Sequence, residues 1–214
     1  MDYRALRIIM VEEQIARRGI NNTGVLDVFM RVERERFVPR DQIKRAYDDC
    51  PLPIGSDQTI SQPYIAALMT EALRLSGREK ILEIGTGSGY QAAILAESAQ
   101  DVYSIERLPE LAERAKTIVN GIGYTNIHIR TGDGSLGWPE EAPFDRIIIT
   151  AAIPDIPQPL ISQLREGGRM VYPLGELYHQ ALTAAVKENN ELKTEILCGC
   201  VFVPLIGKHG MTHG

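Results

Sequence analysis

The clearest chemistry in this chain sits in three glycines and three carboxylates. The run Leu82-Glu83-Ile84-Gly85-Thr86-Gly87-Ser88-Gly89-Tyr90 places glycines at 85, 87 and 89. There the backbone can turn sharply and come close to a ligand. A tight strand-to-helix turn with no ligand would carry the same glycines. The spacing is G-x-G-x-G, whereas the dinucleotide fingerprint is G-x-G-x-x-G, and Tyr90 follows the last glycine, which weakens a pyrophosphate-binding reading. Glu106 ends the next apolar run, where a carboxylate can take both ribose hydroxyls of a nucleoside. That feature alone fits NAD equally well. Asp133, within Gly132-Asp133-Gly134, adds a carboxylate at the same rim, although by itself such a residue reads as a turn. Together Glu83, Glu106 and Asp133 leave little room for a diphosphate. They suit a nucleoside with no phosphate and a positive charge, S-adenosyl-L-methionine. The turn residues Gly85, Thr86, Gly87, Ser88 and Gly89, with Gly134 on the third strand, are expected beside it.

Other chemistries lack their residues. A Gly-x-Ser-x-Gly nucleophile elbow around Ser88 would need glycines where Thr86 and Tyr90 stand. No G-K-[ST] occurs, so there is no P-loop. Cys198 and Cys200 with His209 and His213 could be drawn as a zinc site. Alternation, however, puts both cysteines on one face of a core strand, and the histidines fall in a glycine-rich tail, so no metal is expected. His128 and His179 lie in predicted strands, with packing or surface roles.

These residues need a scaffold, and the pattern from Lys80 supplies one. Short strand-like runs at 80–85, 101–106, 126–134, 144–150 and 168–175 alternate with helical patterns at 89–98, 108–121 and 157–164. Two further runs, 180–189 and 194–205, read as a hairpin around Asn189-Asn190. Buried strands alternating with helices predict an α/β fold: a Rossmann-like, doubly wound, mostly parallel sheet with a terminal antiparallel hairpin. Ligands of such sheets bind outside the carboxyl ends of the strands, where the glycine turn should lie. Before residue 79 the texture is helical. Leu6, Ile9, Met10, Glu13 and Arg17 recur at helical spacing, 25–30 could start a second helix after Thr23, and 64–75 reads as a third. Pro63 falls in the first turn of that third helix, with Ser61 or Gln62 near its cap. The expected organisation is one domain: a helical and loop extension over 1–79 covering the site, a Rossmann-like core over 80–205 and a tail over 206–214.

The chain has 214 residues, 44% hydrophobic and 24% charged, with net charge -5, and is long enough for one sizeable core. Net acidity argues against non-specific nucleic-acid binding. No apolar stretch approaches the roughly 20 residues needed to span a bilayer, and the first residues have no signal-peptide apolar core. Three cysteines fit a reducing compartment without a disulfide framework. A cytoplasmic protein is expected, with no nucleic-acid or membrane partner. No long heptad demands another copy, so a monomer is the default.

One block precedes the sheet and has no counterpart in a generic nucleoside-binding fold. It runs Ala46-Tyr47-Asp48-Asp49, Pro51-Leu52-Pro53-Ile54-Gly55 and Gln58-Thr59-Ile60-Ser61-Gln62-Pro63. With the glycine turn continued to Gln91-Ala92-Ala93, it closely resembles protein-L-isoaspartate O-methyltransferases. The resemblance continues through Gly132-Asp133-Gly134 with Gly137-Trp138, Pro143-Phe144-Asp145, Thr150-Ala151-Ala152, Gln163-Leu164, Gly167-Gly168-Arg169 and Phe202-Val203-Pro204-Leu205, from about Glu13 to Leu205. Thr-Ile-Ser-Gln-Pro is its specific part, because many methyltransferases share the glycine turn.

The resemblance implies methyl transfer from S-adenosyl-L-methionine to the free α-carboxylate of L-isoaspartyl residues in damaged proteins and peptides. The ester then collapses to a succinimide that reopens partly to aspartate. It also implies that Ser61 is the active-site residue, that the loop with Thr59 and Ile60 closes over cofactor and substrate, and that Ala151, Ala152 and Val203 line the substrate cleft. After Leu205 the tail matches no pattern. A carboxylate is already ionised at pH 7, so this acceptor needs no general base, in keeping with the missing catalytic histidine. The site must supply position instead, with reacting atoms roughly 3–3.5 Å apart. Ser61 is expected to orient the acceptor; its competing role is to cap the helix over 64–75. A defect recognised in any sequence implies a shallow, wet cleft read through main-chain contacts. The nearest rival is a small-molecule S-adenosylmethionine-dependent methyltransferase, which has no reason for the 47–63 block. An NAD-dependent oxidoreductase and a non-catalytic binder of damaged proteins are further alternatives.

Overall fold

Residues 3–18 form one helical rod of changing pitch. α1 (Tyr3–Ile9) starts where the Asp2 carboxylate accepts the Ala5 N–H at 3.0 Å, a side-chain cap. Winding loosens to a π-helical stretch over Met10–Ile15, tightens over Ala16–Arg18 and stops at Gly19, which is left-handed. The change of pitch rotates the buried face. Arg7, Met10, Val11 and Ile15 point inward, whereas Ile9, Glu13 and Arg17 of the expected periodic set lie outside. α2 (Thr23–Arg31) is capped by Asn22, whose side chain accepts the Val25 N–H. β1 (Leu52–Gly55) and β2 (Gln58–Ile60) then make a two-stranded antiparallel ribbon that turns at Ser56 and Asp57, both at positive φ. α3 (Pro63–Ala72) follows, with Pro63 in its first turn as expected.

The computed structural model describes residues 1–176 and 179–211. Its seven-stranded sheet uses β3 (Lys80–Ile84), β4 (Asp101–Glu106), β5 (Ile127–Thr131), β6 (Phe144–Ile149), β7 (Leu164–Glu176), β8 (His179–Glu188) and β9 (Glu191–Cys200) in the order β5-β4-β3-β6-β7-β8-β9. β5, β4, β3, β6 and β7 are parallel, joined through α4 (Tyr90–Ala96), α5 (Pro109–Ile122) and α6 (Gln158–Gln163). The α/β class and the β8–β9 hairpin are as expected, with Asn189 and Asn190 both at positive φ in its turn. β8 is also antiparallel to β7, so the last three strands form a meander. β9 is the outer strand of the sheet, not a core strand, and it ends at Cys200.

Strand order reverses between β3 and β6, which opens a crevice at their carboxyl ends. Both faces of these two strands are buried, so their side chains divide by alternation. Ile81 and Ile148 join Met69, Leu73 and Leu95 beneath α3 and α4. Leu82, Ile147 and Ile149 join Phe144, Leu160 and Tyr172 on the opposite face. A third cluster fastens the helical region to the sheet. Phe29 and Phe37 meet Tyr90 of α4 edge-on, with ring centroids 6.1 and 5.5 Å away. Among the described residues no helix is long and apolar enough to cross a membrane.

Candidate functional site

The glycine turn closes the carboxyl end of β3, and its amides are held from within. The Gly85 N–H donates to the Ile105 carbonyl at 2.8 Å, and the Gly89 N–H to the Thr86 carbonyl at 2.8 Å. The Gly87 N–H donates to Glu106 Oε2 at 2.8 Å, and the Tyr90 N–H to Ser88 Oγ at 3.2 Å. These four donors are therefore spent, which removes much of the N–H cradle that a pyrophosphate needs at such a turn. Gly85 has φ +97, and a Cβ there would collide with Thr150 Oγ1. Thr150 Oγ1 lies 2.7 Å from the Gly85 carbonyl, which ties the end of β6 to the turn.

A cavity of about 340 Å³ opens over this turn. Of the residues singled out in the sequence, Thr59, Ile60, Ser61, Gly85, Thr86, Gly87, Ser88, Glu106, Gly134, Ala151 and Val203 line it. A second cavity of about 270 Å³ adjoins, walled by Pro51, Gln62 and Ile65 on one side and residues 199–203 on the other. Thr59, Ser61, Thr150 and Val203 belong to both walls.

Four of the expected residues lie off the cavity wall. Glu83 is fully buried beneath the turn, not at the rim. Its Oε2 accepts the Ser104 hydroxyl at 2.5 Å, Ser104 meets the Thr86 hydroxyl at 2.5 Å, and Oε1 has no partner. Burial pushes its pKa up to about 8 against the Ser104 bond, with help from the Glu106 charge, so Glu83 is largely protonated at pH 7. Asp133 lies under the tail: Oδ2 accepts the Lys208 N–H at 2.7 Å, and Oδ1 accepts the Ser135 N–H and hydroxyl. Burial alone would raise its pKa, but these donors hold it below the usual carboxylate range. Gly89 faces Ala115 and Val119, where α5 comes close. Ala152 is fully buried, pairing its backbone with Val203 and Leu205.

Glu106 is the one expected carboxylate on the wall. Its oxygens accept the Gly87 N–H at 2.8 Å and the Leu108 N–H at 3.0 Å. Each retains lone pairs for a ligand. Residues the sequence did not single out for this wall include Gln91, Ile105, Leu108 and Ile206. Ile206 belongs to the tail, which no pattern predicted. The cap role for Ser61 fails locally, since Gln62 is the N-cap of α3 and neither residue supplies a side-chain cap bond. Cys198 and Cys200 are free thiols, and no cluster that could hold a metal occurs among the described residues; His213 lies outside them. His128 stacks on Tyr103 and bonds Asp101, away from the site.

The family model described as protein-L-isoaspartate(D-aspartate) O-methyltransferase matches residues 7–210. The protein-L-isoaspartate O-methyltransferase of Syntrophus aciditrophicus is 54% identical over 97% of this chain and 97% of its own. A solved protein-L-isoaspartate O-methyltransferase superposes with TM-score 0.85 at 28% identity, covering 96% of this chain and 66% of that one. A Plasmodium falciparum structure of that name, in complex with S-adenosyl-L-homocysteine, shares the fold at TM-score 0.81 and 24% identity, over 96% of this chain and 99% of its own.

Proposed function

The chain belongs to the protein-L-isoaspartate(D-aspartate) O-methyltransferase family, and from that premise we propose how its two cavities share one reaction. The activity is methyl transfer from S-adenosyl-L-methionine to the free α-carboxylate of L-isoaspartyl residues in damaged proteins and peptides. It begins a repair that proceeds through a succinimide.

The cavity over the glycine turn suits the cofactor. Glu106 has lone pairs for two ribose hydroxyls, Ile105, Leu108 and Ile206 offer apolar walls to a base, and Thr86 and Ser88 are polar neighbours. With Glu83 protonated and walled off, Glu106 is the carboxyl group that this end of the sheet presents to the cavity. When bound, S-adenosyl-L-methionine supplies an electrophilic methyl carbon on a positively charged sulfur.

The adjoining cavity takes the isoaspartyl peptide. Its wall over 199–203 is the end of β9 and the segment that follows it, suited to reading a main-chain defect without regard to sequence. Ala151 and Val203 border the acceptor, and Ser61 orients the carboxylate through its hydroxyl or backbone. No residue need remove a proton, because the acceptor arrives ionised. Residues 1–79 cover the site, residues 80–205 hold the cofactor, and the tail from 206 adds Ile206 to the wall. With its free thiols at Cys50, Cys198 and Cys200, the enzyme works as a monomer in a reducing cytoplasm.

The shared wall carries this reading: Ser61 lies where the two cavities meet. Labelled S-adenosyl-L-methionine offered with an isoaspartyl peptide and, separately, its aspartyl twin tests it. Label should enter the isoaspartyl peptide alone; equal labelling of both, or transfer to small molecules only, rejects it. In the same assay Ser61→Ala should lose roughly 10²-fold in kcat, as expected for misplaced reactants, with Tm unchanged.

A further inference from the structure

Arg34 is fully buried and has no counter-ion among the described residues. Its Nε donates to the Ala46 carbonyl at 2.8 Å and its Nη2 to the Ser61 carbonyl at 2.8 Å, while Nη1 finds no partner. The guanidinium lies 4.8 Å from the centre of the Tyr90 ring. Carboxylates nearby in sequence are committed elsewhere. Glu33 pairs with Arg7 and Arg36, Glu35 with Arg7 and Tyr47, Asp48 with Arg45, and Asp49 with Arg18. A buried cation is costly unless it is paired, and an arginine does not escape by losing its proton. Carbonyl dipoles and a ring face meet only part of that demand. Yet this unneutralised charge touches Ser61, one of the four residues shared by the walls of the two cavities.

We propose that Arg34 is a positioning residue for methyl transfer: it fixes the Ser61 carbonyl from beneath and sets a positive potential under the seat of the acceptor carboxylate. Holding that carbonyl inward also turns the Gln62 N–H the opposite way, since the two point apart across a trans peptide. The incoming carboxylate is the counter-ion that the fold withholds. Methylation makes it neutral, so the ester loses the attraction that drew the acid. The inference rests on the isoaspartyl activity proposed above.

Two variants separate the anchor from the charge. Arg34→Lys keeps the charge but not the planar fork that reaches two carbonyls. Its kcat should fall at least tenfold while KM for an isoaspartyl peptide stays within about threefold, since a single charge-assisted hydrogen bond is of that order. Arg34→Met loses both, so KM should rise by roughly tenfold as well. Affinity for S-adenosyl-L-homocysteine, measured by calorimetry, should hold in both variants. A folded Arg34→Lys with lowered Tm but wild-type kcat and KM makes the residue merely structural and overturns the proposal. So does Arg34→Lys with raised KM and intact kcat. Arg34→Lys decides by itself if Arg34→Met does not fold. Wild-type chain that fails to methylate the peptide rejects the activity instead, and so the two failures remain distinct.

Discussion

Glu83 and Glu106 stand near the ends of neighbouring parallel strands, yet one is sealed in the interior and the other faces the cavity. Glu83 pairs across the sheet with Ser104, so its carboxyl accepts that hydroxyl in a closed interior. Glu106 accepts two backbone N–H groups and faces the cavity. The pKa of Glu83 rises from 4.5 to about 8 on folding, chiefly through burial. Folding thus binds a proton between those two values. The contribution of Glu83 to stability is complete below the unfolded pKa, declines as pH rises, and is fully lost above the folded one. Thermal melts across pH 5 to 9 should show Glu83→Gln gaining on wild type up to about pH 8 and running parallel beyond. Equal Tm differences at every pH would mean that Glu83 is ionised throughout. Glu106→Gln removes a charge that helps raise the Glu83 pKa, so it should draw the upper end of that profile to lower pH, and it should weaken S-adenosyl-L-homocysteine binding by about 2 kcal/mol, the loss of one charge-assisted bond. Unaltered affinity by calorimetry would remove Glu106 from the ribose. The sequence placed Glu83, Glu106 and Asp133 at one rim because strand ends converge there; only Glu106 lines it. A strand buried on both faces gives no local sign of which cross-strand partner a side chain meets. Of the donors that occupy Asp133, neighbouring Ser135 supplies two, and the third comes from Lys208, far along the chain. Arg34 carries no local sign of its role either, since it stands in a run of charges at 31, 33, 34, 35 and 36.

Legibility at the scale of elements followed the strength of local pattern. The strands β3, β4 and β6 were readable because each is a short, largely apolar run closed by a turn, and the β8–β9 hairpin because Asn189-Asn190 tolerates the left-handed conformations its turn needs. The β1–β2 ribbon was not. Pro51, Pro53 and Gly55 mark its sequence as loop, and its turn uses Ser56 and Asp57 at positive φ with no glycine between the strands' ends. The glycine turn was read correctly as a turn, but the reason for glycine at 85 lies on another strand, at Thr150 of the β6 terminus. Two separable penalties therefore oppose Gly85→Ala: a left-handed backbone, about 1–2 kcal/mol, and the collision with Thr150 Oγ1. Urea denaturation should show Gly85→Ala destabilised by roughly 3 kcal/mol. Adding Thr150→Ala should recover part of that loss, leaving the backbone penalty. If the two substitutions add without coupling, the β3 turn and the end of β6 are not in the tight register seen here.

Taken whole, the molecule does not divide where its sequence texture changes near residue 79. The cluster holding Met10, Phe29, Phe37 and Ile54 also holds Tyr90, Ile94, Leu111 and Val119, so the helical region and the sheet's helices share one interior. Arg34 adds a polar tie by joining the carbonyls of residues 46 and 61 over the Tyr90 ring. The wall where the cavities meet is built the same way, with Thr59 and Ser61 from before the change and Thr150 and Val203 from after it. Such sharing makes unfolding cooperative, because neither part keeps its buried surface when the other opens. Trp138, the single tryptophan, lies against the cluster on the far face of the sheet. Its fluorescence reports on the core, while far-UV dichroism weighs the helices of both parts. In urea the two signals should coincide in one transition, and S-adenosyl-L-homocysteine should move both midpoints together, by about 2.7 kcal/mol at a hundredfold excess over its Kd. A chain beginning at residue 80 should then fail to fold, because Tyr90, Ile94 and Leu111 would face water. Two separated transitions, or a folded truncated chain, would show instead that residues 1–79 are an independent cover, leaving a core that holds the cofactor without them.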